Sequence, residues 1–145
     1  MANITSTDKV LHIGCGTIPS ESMIIAERTK ARVVGIDNNK NAVKFAKKIV
    51  EKKGLSDLIK IEYCDGEEYP VQDFDVIVVA INVWPIEKVL IHLSKQMKKD
   101  ARIICKGMKE GIIDCIEKSN LSDILYVKSV TPTPKMQSLL IVKKS

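Results

Sequence analysis

Short apolar runs alternate along this chain with segments of helical period. Val10–Ile13, Arg32–Ile36, Ile59–Cys64, Asp75–Ile81 and Ala101–Lys106 read as strands. Between them, the spacing predicts helices over about Pro19–Thr29, Asn39–Lys53, Ile86–Met97 and Gly111–Glu117. Pro19 suits a first helical position, and Gly54 is a stop signal after the second helix. In that second helix Val43, Phe45, Ala46, Ile49 and Val50 form the expected apolar face. The Val76–Ala80 run has no polar interruption, which predicts a strand buried on both faces. Strands alternating with helices predict an α/β sheet whose strands are mostly parallel.

The last part of the chain breaks this alternation. Ile124–Val130 and Ser138–Lys143 read as strands separated by Thr131-Pro132-Thr133-Pro134. A crossover helix does not fit there, so these two strands should be antiparallel. The expected sheet is parallel until its final strand reverses.

Composition narrows the class. The chain has 145 residues, 45% hydrophobic and 28% charged, as expected for one globular domain over residues 1–145. No apolar run approaches the roughly 20 residues that span a bilayer, and Met1–Lys9 lacks a signal-peptide core. A cytoplasmic location without membrane attachment is the expectation. The net charge of +5 is spread over lysine pairs that read as solvated helix and strand ends. With aromatic content at 4%, no basic patch interleaved with aromatics forms, and no nucleic-acid partner is expected. The four cysteines show no C-x-x-C pair and read as buried free thiols. His12 and His92 have no companion at ligand spacing, so no metal site is expected.

The candidate chemistry lies where the first strand ends. Val10-Leu11-His12-Ile13 runs into Gly14-Cys15-Gly16-Thr17-Ile18-Pro19, and the next strand ends on Val33-Val34-Gly35-Ile36-Asp37. Glycines admit close backbone approach. A following helix start offers unpaired N–H groups. A carboxylate at the second strand end can accept from both hydroxyls of a ribose. A glycine pair alone leaves nicotinamide and other nucleotide cofactors open. However, the third glycine of the dinucleotide pattern is here Pro19, and the closing hairpin departs from a fold built of two similar halves.

Val10–Gly16, Gly35–Val43, Ile61–Gly66 and Phe74–Val79, in this order and spacing, resemble the class I S-adenosylmethionine-dependent methyltransferases. That resemblance implies a Rossmann-like doubly wound sheet of order 3-2-1-4-5-7-6, strand seven antiparallel, with helices on both faces. S-adenosyl-L-methionine is the implied cofactor. Gly14 and Gly16 would approach its methionine and ribose portions, and Asp37, with Asn38 beside it, would hold the ribose. Asp65 and Gly66 would sit near the adenine, and Asn82 near the sulfonium end. Two positions depart from the pattern: the usual acidic residue before the turn is His12, and the usual third glycine is Ile18. His12 reads as a strand residue hydrogen-bonded at the core edge in preference to a catalytic base.

Gly14–Glu27, Phe74–Pro85 and Lys135–Val142 are more narrowly similar to nicotianamine synthases, which also lack that acidic residue. This resemblance implies transfer of the 3-amino-3-carboxypropyl group instead of the methyl group. The helical domain that precedes the first strand in those enzymes has no counterpart in the few residues before Val10.

Either reaction is an in-line displacement at a carbon on a sulfonium, so neither a triad nor a carboxylate pair is required. Glu21 is a candidate base for an amine acceptor, or else an acidic residue favoured by the helix dipole. Asn82 is the other catalytic candidate. Trp84 lines a substrate mouth or covers a helix edge, and Tyr69 and Pro70 flank the adenine or pack at the surface. The expected function is methyl transfer to a small-molecule acceptor. The alternatives are aminocarboxypropyl transfer and a non-catalytic cofactor-binding module. A homodimer or partner subunit would complete the open pocket.

Overall fold

The computed structural model describes residues 2–132 and 136–144. Eleven elements follow one another as β1 (Lys9–Ile13), α1 (Ser20–Thr29), β2 (Arg32–Asp37), α2 (Lys40–Lys52), β3 (Ile59–Tyr63), β4 (Val76–Val79), α3 (Ile86–Gln96), β5 (Arg102–Gly107), α4 (Lys109–Lys118), β6 (Leu125–Pro132) and β7 (Gln137–Lys143). They form one seven-stranded sheet of order β3-β2-β1-β4-β5-β7-β6. β1 to β5 pair in parallel, and β7 runs antiparallel to both β5 and β6. The expected fold class and strand order are present.

Alternation along the strands sorts side chains into two layers. Leu11, Ile13, Ile77, Val79, Ile103, Leu139 and Ile141 face α3 and α4 in the larger core. Val10, Val33, Val76 and Val78 pack against Ile25 and Ala26 of α1 and Val43, Ala46 and Val50 of α2. All four residues of β4 are buried, as a central strand covered on both sides requires.

Several boundaries and one face differ from the sequence expectation. β4 ends at Val79, and by Ile81 the chain is 57% exposed. Apolar side chains extended the predicted strand because hydropathy does not register where pairing with β5 stops. α4 is longer than predicted, from Lys109 to Lys118. β6 continues through Thr131 to Pro132, an exposed sheet edge where proline costs no ladder bond. Thr133 and Pro134 lie outside the described residues. Phe45 is not on the buried face of α2: the ring is 50% exposed and lies under the Lys48 ammonium, while Ala42 takes the buried position. Ile49 is half-buried.

α2 has a side-chain cap: Asn39 Oδ1 accepts from the N–H groups of Asn41 (2.9 Å) and Ala42 (3.1 Å). Removing it leaves two helix-end donors without a protein partner. Asn39→Ala is expected to lower unfolding stability by about 1 kcal/mol, read from urea denaturation midpoints.

Candidate functional site

β1 is flanked by β2 on one side and β4 on the other, so the connections leaving β1 and β4 diverge to opposite layers. A crevice opens at such a switch point, beyond the strand C-termini. Ile13, Gly14, Ile36, Asp37, Asn38, Cys64, Asp65, Gly66, Asn82, Val83, Trp84 and Val89 line a cleft there of about 110 Å³.

Gly14 and Gly16 form the turn that leaves β1, with φ of +78° and +74°. L side chains rarely adopt that conformation. A Cβ on Gly14 would lie 2.6 Å from Val83 Cγ2 and 3.3 Å from Ala80 Cβ, so the turn must close on the loop after β4. A Cβ on Gly16 would meet nothing within 4 Å. The first glycine is needed for packing, whereas the second faces open space.

Asp37 secures this turn from the end of β2. Its Oδ2 accepts from Gly16 N–H at 2.9 Å, and its Oδ1 from Asn39 N–H at 2.9 Å. The N–H groups of Gly14 and Cys15 both donate to the Ile36 carbonyl, at 2.9 and 3.0 Å. A carboxylate has about four lone-pair sites, so Asp37 keeps accepting capacity toward the cleft. Asp65 is similar: Oδ1 accepts from Glu67 N–H at 2.9 Å and the other oxygen is uncommitted among the described residues. Gly66 lies against Ile13, whose Cγ2 would be 2.6 Å from an added Cβ.

The structure thus brings Gly14, Asp37, Asn38, Asp65, Gly66 and Asn82 to one cleft. Gly16 does not line it but is tied to it through Asp37. Trp84 stands at its mouth, 80% exposed. Tyr69 and Pro70 do not join it. They line a separate hollow with Lys9, Arg32 and Phe74, where the Tyr69 hydroxyl donates to Glu62 and the ring packs on Phe74. Burial and the Glu62 carboxylate raise the Tyr69 phenol further above its ordinary range.

Glu21 lies elsewhere too, and its surroundings were not foreseen. On the far side of the loop after β4, His12, Glu21, Val78, Ala80, Ile81, Lys106 and Met136 line a hollow of about 300 Å³. Ala80 and Ile81 face it, while the adjoining Asn82 and Val83 face the cleft, so one loop separates the two spaces. Lys106 Nζ lies 3.4 Å from Glu21 Oε1 and 2.9 Å from Ser138 Oγ. His12 is 4% exposed, with Nδ1 2.7 Å from Ser22 Oγ on α1. Burial pulls its pKa down to about 4; the Glu21 carboxylate opposes this and the Lys106 ammonium reinforces it. The hydrogen-bonded strand histidine expected from the sequence is therefore present, neutral at pH 7. Lys106 was missed because a lysine ending a strand usually reads as a solvated terminus.

The thiols have no reactive character. Burial pushes Cys15 and Cys105 up to about 12, and all four cysteines are free. Among the described residues no group of three or more His, Cys, Asp or Glu side chains could hold a metal ion, and no helix is long and apolar enough to cross a membrane.

The sheet order with its reversed β7, the glycine turn and the carboxylate ending β2 define a nucleotide-cofactor domain of the methyltransferase type. The Methyltransferase domain family matches residues 4–141, and the chain belongs to that family, whose cofactor is S-adenosylmethionine. The chain is 28% identical over 127 residues to methyltransferase GfsG of Streptomyces halstedii, covering 84% of this chain and 43% of that protein. It spans about half the length or less of the curated relatives it matches first. The crystal structure of an RNA methyltransferase from Salinibacter ruber, in complex with S-adenosyl-L-homocysteine, superposes with a TM-score of 0.78 at 18% identity, covering 98% of this chain and 84% of that one. The protein MtNAS, in complex with MTA and tNA, superposes with a TM-score of 0.84 at 18% identity, covering 99% and 56%.

The residues of the cleft fit such a cofactor. Uncommitted carboxylate lone pairs on Asp37 and Asp65 suit hydroxyl and amine donors, and the open side of Gly16 lets a ligand reach the turn. The cleft volume is below the roughly 300–1,000 Å³ of enclosed small-molecule pockets, so only part of the ligand would be enclosed by this chain.

Proposed function

We propose that the protein is an S-adenosylmethionine-dependent methyltransferase acting on a small-molecule acceptor. The observation that carries this reading is the convergence of the Gly14–Gly16 turn, Asp37 and Asp65 on one cleft that shares a loop with a second, polar-floored hollow. Bound there, the cofactor would supply a methyl carbon activated by a sulfonium. The leaving thioether is neutral, so no protein acid is required. Gly14, Gly16, Asp37, Asn38, Asp65, Gly66 and Asn82 bind and orient the cofactor. The Ala80–Val83 loop borders both the cleft and the hollow, and the acceptor meets the sulfonium end along it. Alignment of the reacting groups can lower the barrier by up to ~7–11 kcal/mol. Asn82, exposed and lining the cleft, orients the reacting end in this reading.

Ile18, Ile81, Trp84 and Met108 remain exposed around the strand ends. A second copy of the chain or a partner subunit covering them would exclude water from the transfer.

A second reading, 3-amino-3-carboxypropyl transfer, is favoured by the nicotianamine synthase-like pattern of Gly14–Glu27 and Phe74–Pro85. Product analysis separates the two. Incubation with S-adenosylmethionine and a panel of small acceptors is expected to accumulate S-adenosylhomocysteine. Methylthioadenosine as the sole product would establish the second reading and overturn the first.

A further inference from the structure

We propose that the hollow between the N-terminal ends of β1 and β2 and the β3–β4 link is a binding site, separate from the cofactor cleft, for a small aromatic monocarboxylate.

The hollow exists because one crossover carries no helix. Parallel strands are usually joined by a helix that covers the sheet. Residues 64–75 join β3 to β4 without one. On one face, β2 and β3 bury Val33, Ile59 and Ile61 beneath α1 and α2. On the other, Val34 is only half-buried. It lines a hollow of about 380 Å³ with Lys9, Arg32, Tyr69, Pro70, Asp73 and Phe74. That size is within the usual range for small-molecule sites. Among the described residues, none lines both this hollow and the cofactor cleft.

Charge selects the head group. Lys9 and Arg32 are register partners on adjacent strands, so their side chains leave the same face of the sheet. Alternation puts that face with Leu11 and Val34, on the side of the hollow. Like charges directly opposite each other on a sheet are destabilising. Neighbouring cations at this end are matched: Arg102 pairs with Asp8 at 2.9 Å and Lys98 with Asp75 at 2.5 Å. Glu62 is taken by Lys60 at 3.2 Å and by the Tyr69 hydroxyl. Among the described residues, neither Lys9 Nζ nor the Arg32 guanidinium has an ion pair or hydrogen bond. Asp73 lines the hollow without pairing with either. Two cations and one carboxylate leave the lining with a single positive charge, which one monoanion balances. A guanidinium offers paired donors to a carboxylate, and an ammonium adds a point charge beside it.

The walls select the body. The rings of Tyr69 and Phe74 stand with centroids 6.2 Å apart at 46°, and Val34 and Pro70 extend the apolar surface. The Tyr69 hydroxyl is committed to Glu62, so this residue offers a ring and not a hydrogen bond. Aromatic side chains favour offset or edge-on contact with a further ring. An aromatic acid therefore matches both halves of the lining. A phosphate monoester would bring a second negative charge against Asp73.

The test uses 2-naphthoate, 2-naphthamide and acetate as probes, titrated by calorimetry with and without saturating S-adenosylhomocysteine. 2-Naphthoate is expected to bind equally well in both conditions and to shift the NMR resonances of the Val34 methyls and the Tyr69 and Phe74 rings. 2-Naphthamide, which lacks the charge, and acetate, which lacks the ring, are each expected to bind at least tenfold more weakly. Lys9→Met together with Arg32→Gln should bring 2-naphthoate down to the affinity of the amide. Both side chains are exposed, and a urea midpoint no lower than that of the native protein checks that the fold is kept. Equal binding of acid and amide, no binding of 2-naphthoate, full affinity in the double variant, or displacement of 2-naphthoate by S-adenosylhomocysteine would each overturn the proposal. It does not rest on the methyltransferase reading: failure of S-adenosylhomocysteine to bind would overturn that reading and leave the probe series to decide this one.

Discussion

Asp37→Ala is expected to weaken S-adenosylhomocysteine binding by more than tenfold in calorimetric titration. Two causes add. Removing a charged hydrogen-bond acceptor costs about 1.5–3 kcal/mol per bond, and each 1.4 kcal/mol is tenfold in affinity. The same carboxylate also holds Gly16 N–H and Asn39 N–H at 2.9 Å each, so its loss frees the turn that the ligand must approach. Asp37→Asn separates the two effects. Its amide oxygen can keep one backbone N–H while the charge is gone, so affinity should fall between the native protein and the alanine variant. Unchanged affinity in Asp37→Ala would remove Asp37 from the binding site.

Acidification is expected to destabilise the protein through His12 by about 3 kcal/mol between pH 7 and pH 4. The unfolded ring has a pKa of 6.5 and the folded ring about 4. Between those values the unfolded chain binds a proton that the native chain refuses, so stability rises with pH across this window and falls as pH drops through it. A tenfold difference in proton affinity between the two states is worth about 1.36 kcal/mol. The ring is buried enough for this conversion to apply. Urea midpoints at pH 7, 6, 5 and 4 measure the slope, and His12→Leu should flatten it. The carboxylates of Asp75 and Glu62, held low chiefly by Lys98 and by the Tyr69 hydroxyl, add their own losses toward and below the acid end of this window. An identical slope in His12→Leu would show that His12 is not the group responsible.

These two residues differ in how far their roles could be read from order and spacing. Asp37 follows an apolar run and trails the glycine turn by one helix, so topology alone puts it at a strand C-terminus beside that turn. What spacing did not convey is that its carboxylate already binds two backbone amides. His12 was legible as a strand residue on the face opposite Leu11 and Ile13. Its partner was not, because Ser22 lies on a helix whose rotation over the sheet depends on packing. Glu21 illustrates the same limit: its position at a helix start was legible, but its pairing with Lys106 joins α1 to β5 across the sheet.

Phe45 failed for a related reason. A helical period marks a face, but the width of that face depends on what packs opposite, and α2 buries Ala42, Val43, Ala46 and Val50 while Phe45 stays outside them. Of the two sequence readings of Tyr69, packing at the surface holds over flanking the base, because the loop between β3 and β4 folds back to place its hydroxyl on Glu62 of β3.

Local patterning, by itself, determined the alternation of strands and helices, the reversal of the last strand, and the turn with its carboxylate partner. These follow from period, glycine placement and connection length, which act over a few neighbouring residues. Only the tertiary structure decided that the loop after β4 divides the strand ends into two spaces. It alone brought His12, Glu21 and Lys106 to the second of them, with Ser138 bonded to Lys106. Those residues come from β1, α1, β5 and β7, and their meeting depends on sheet order and helix packing, which side-chain volumes settle only once the whole core is assembled.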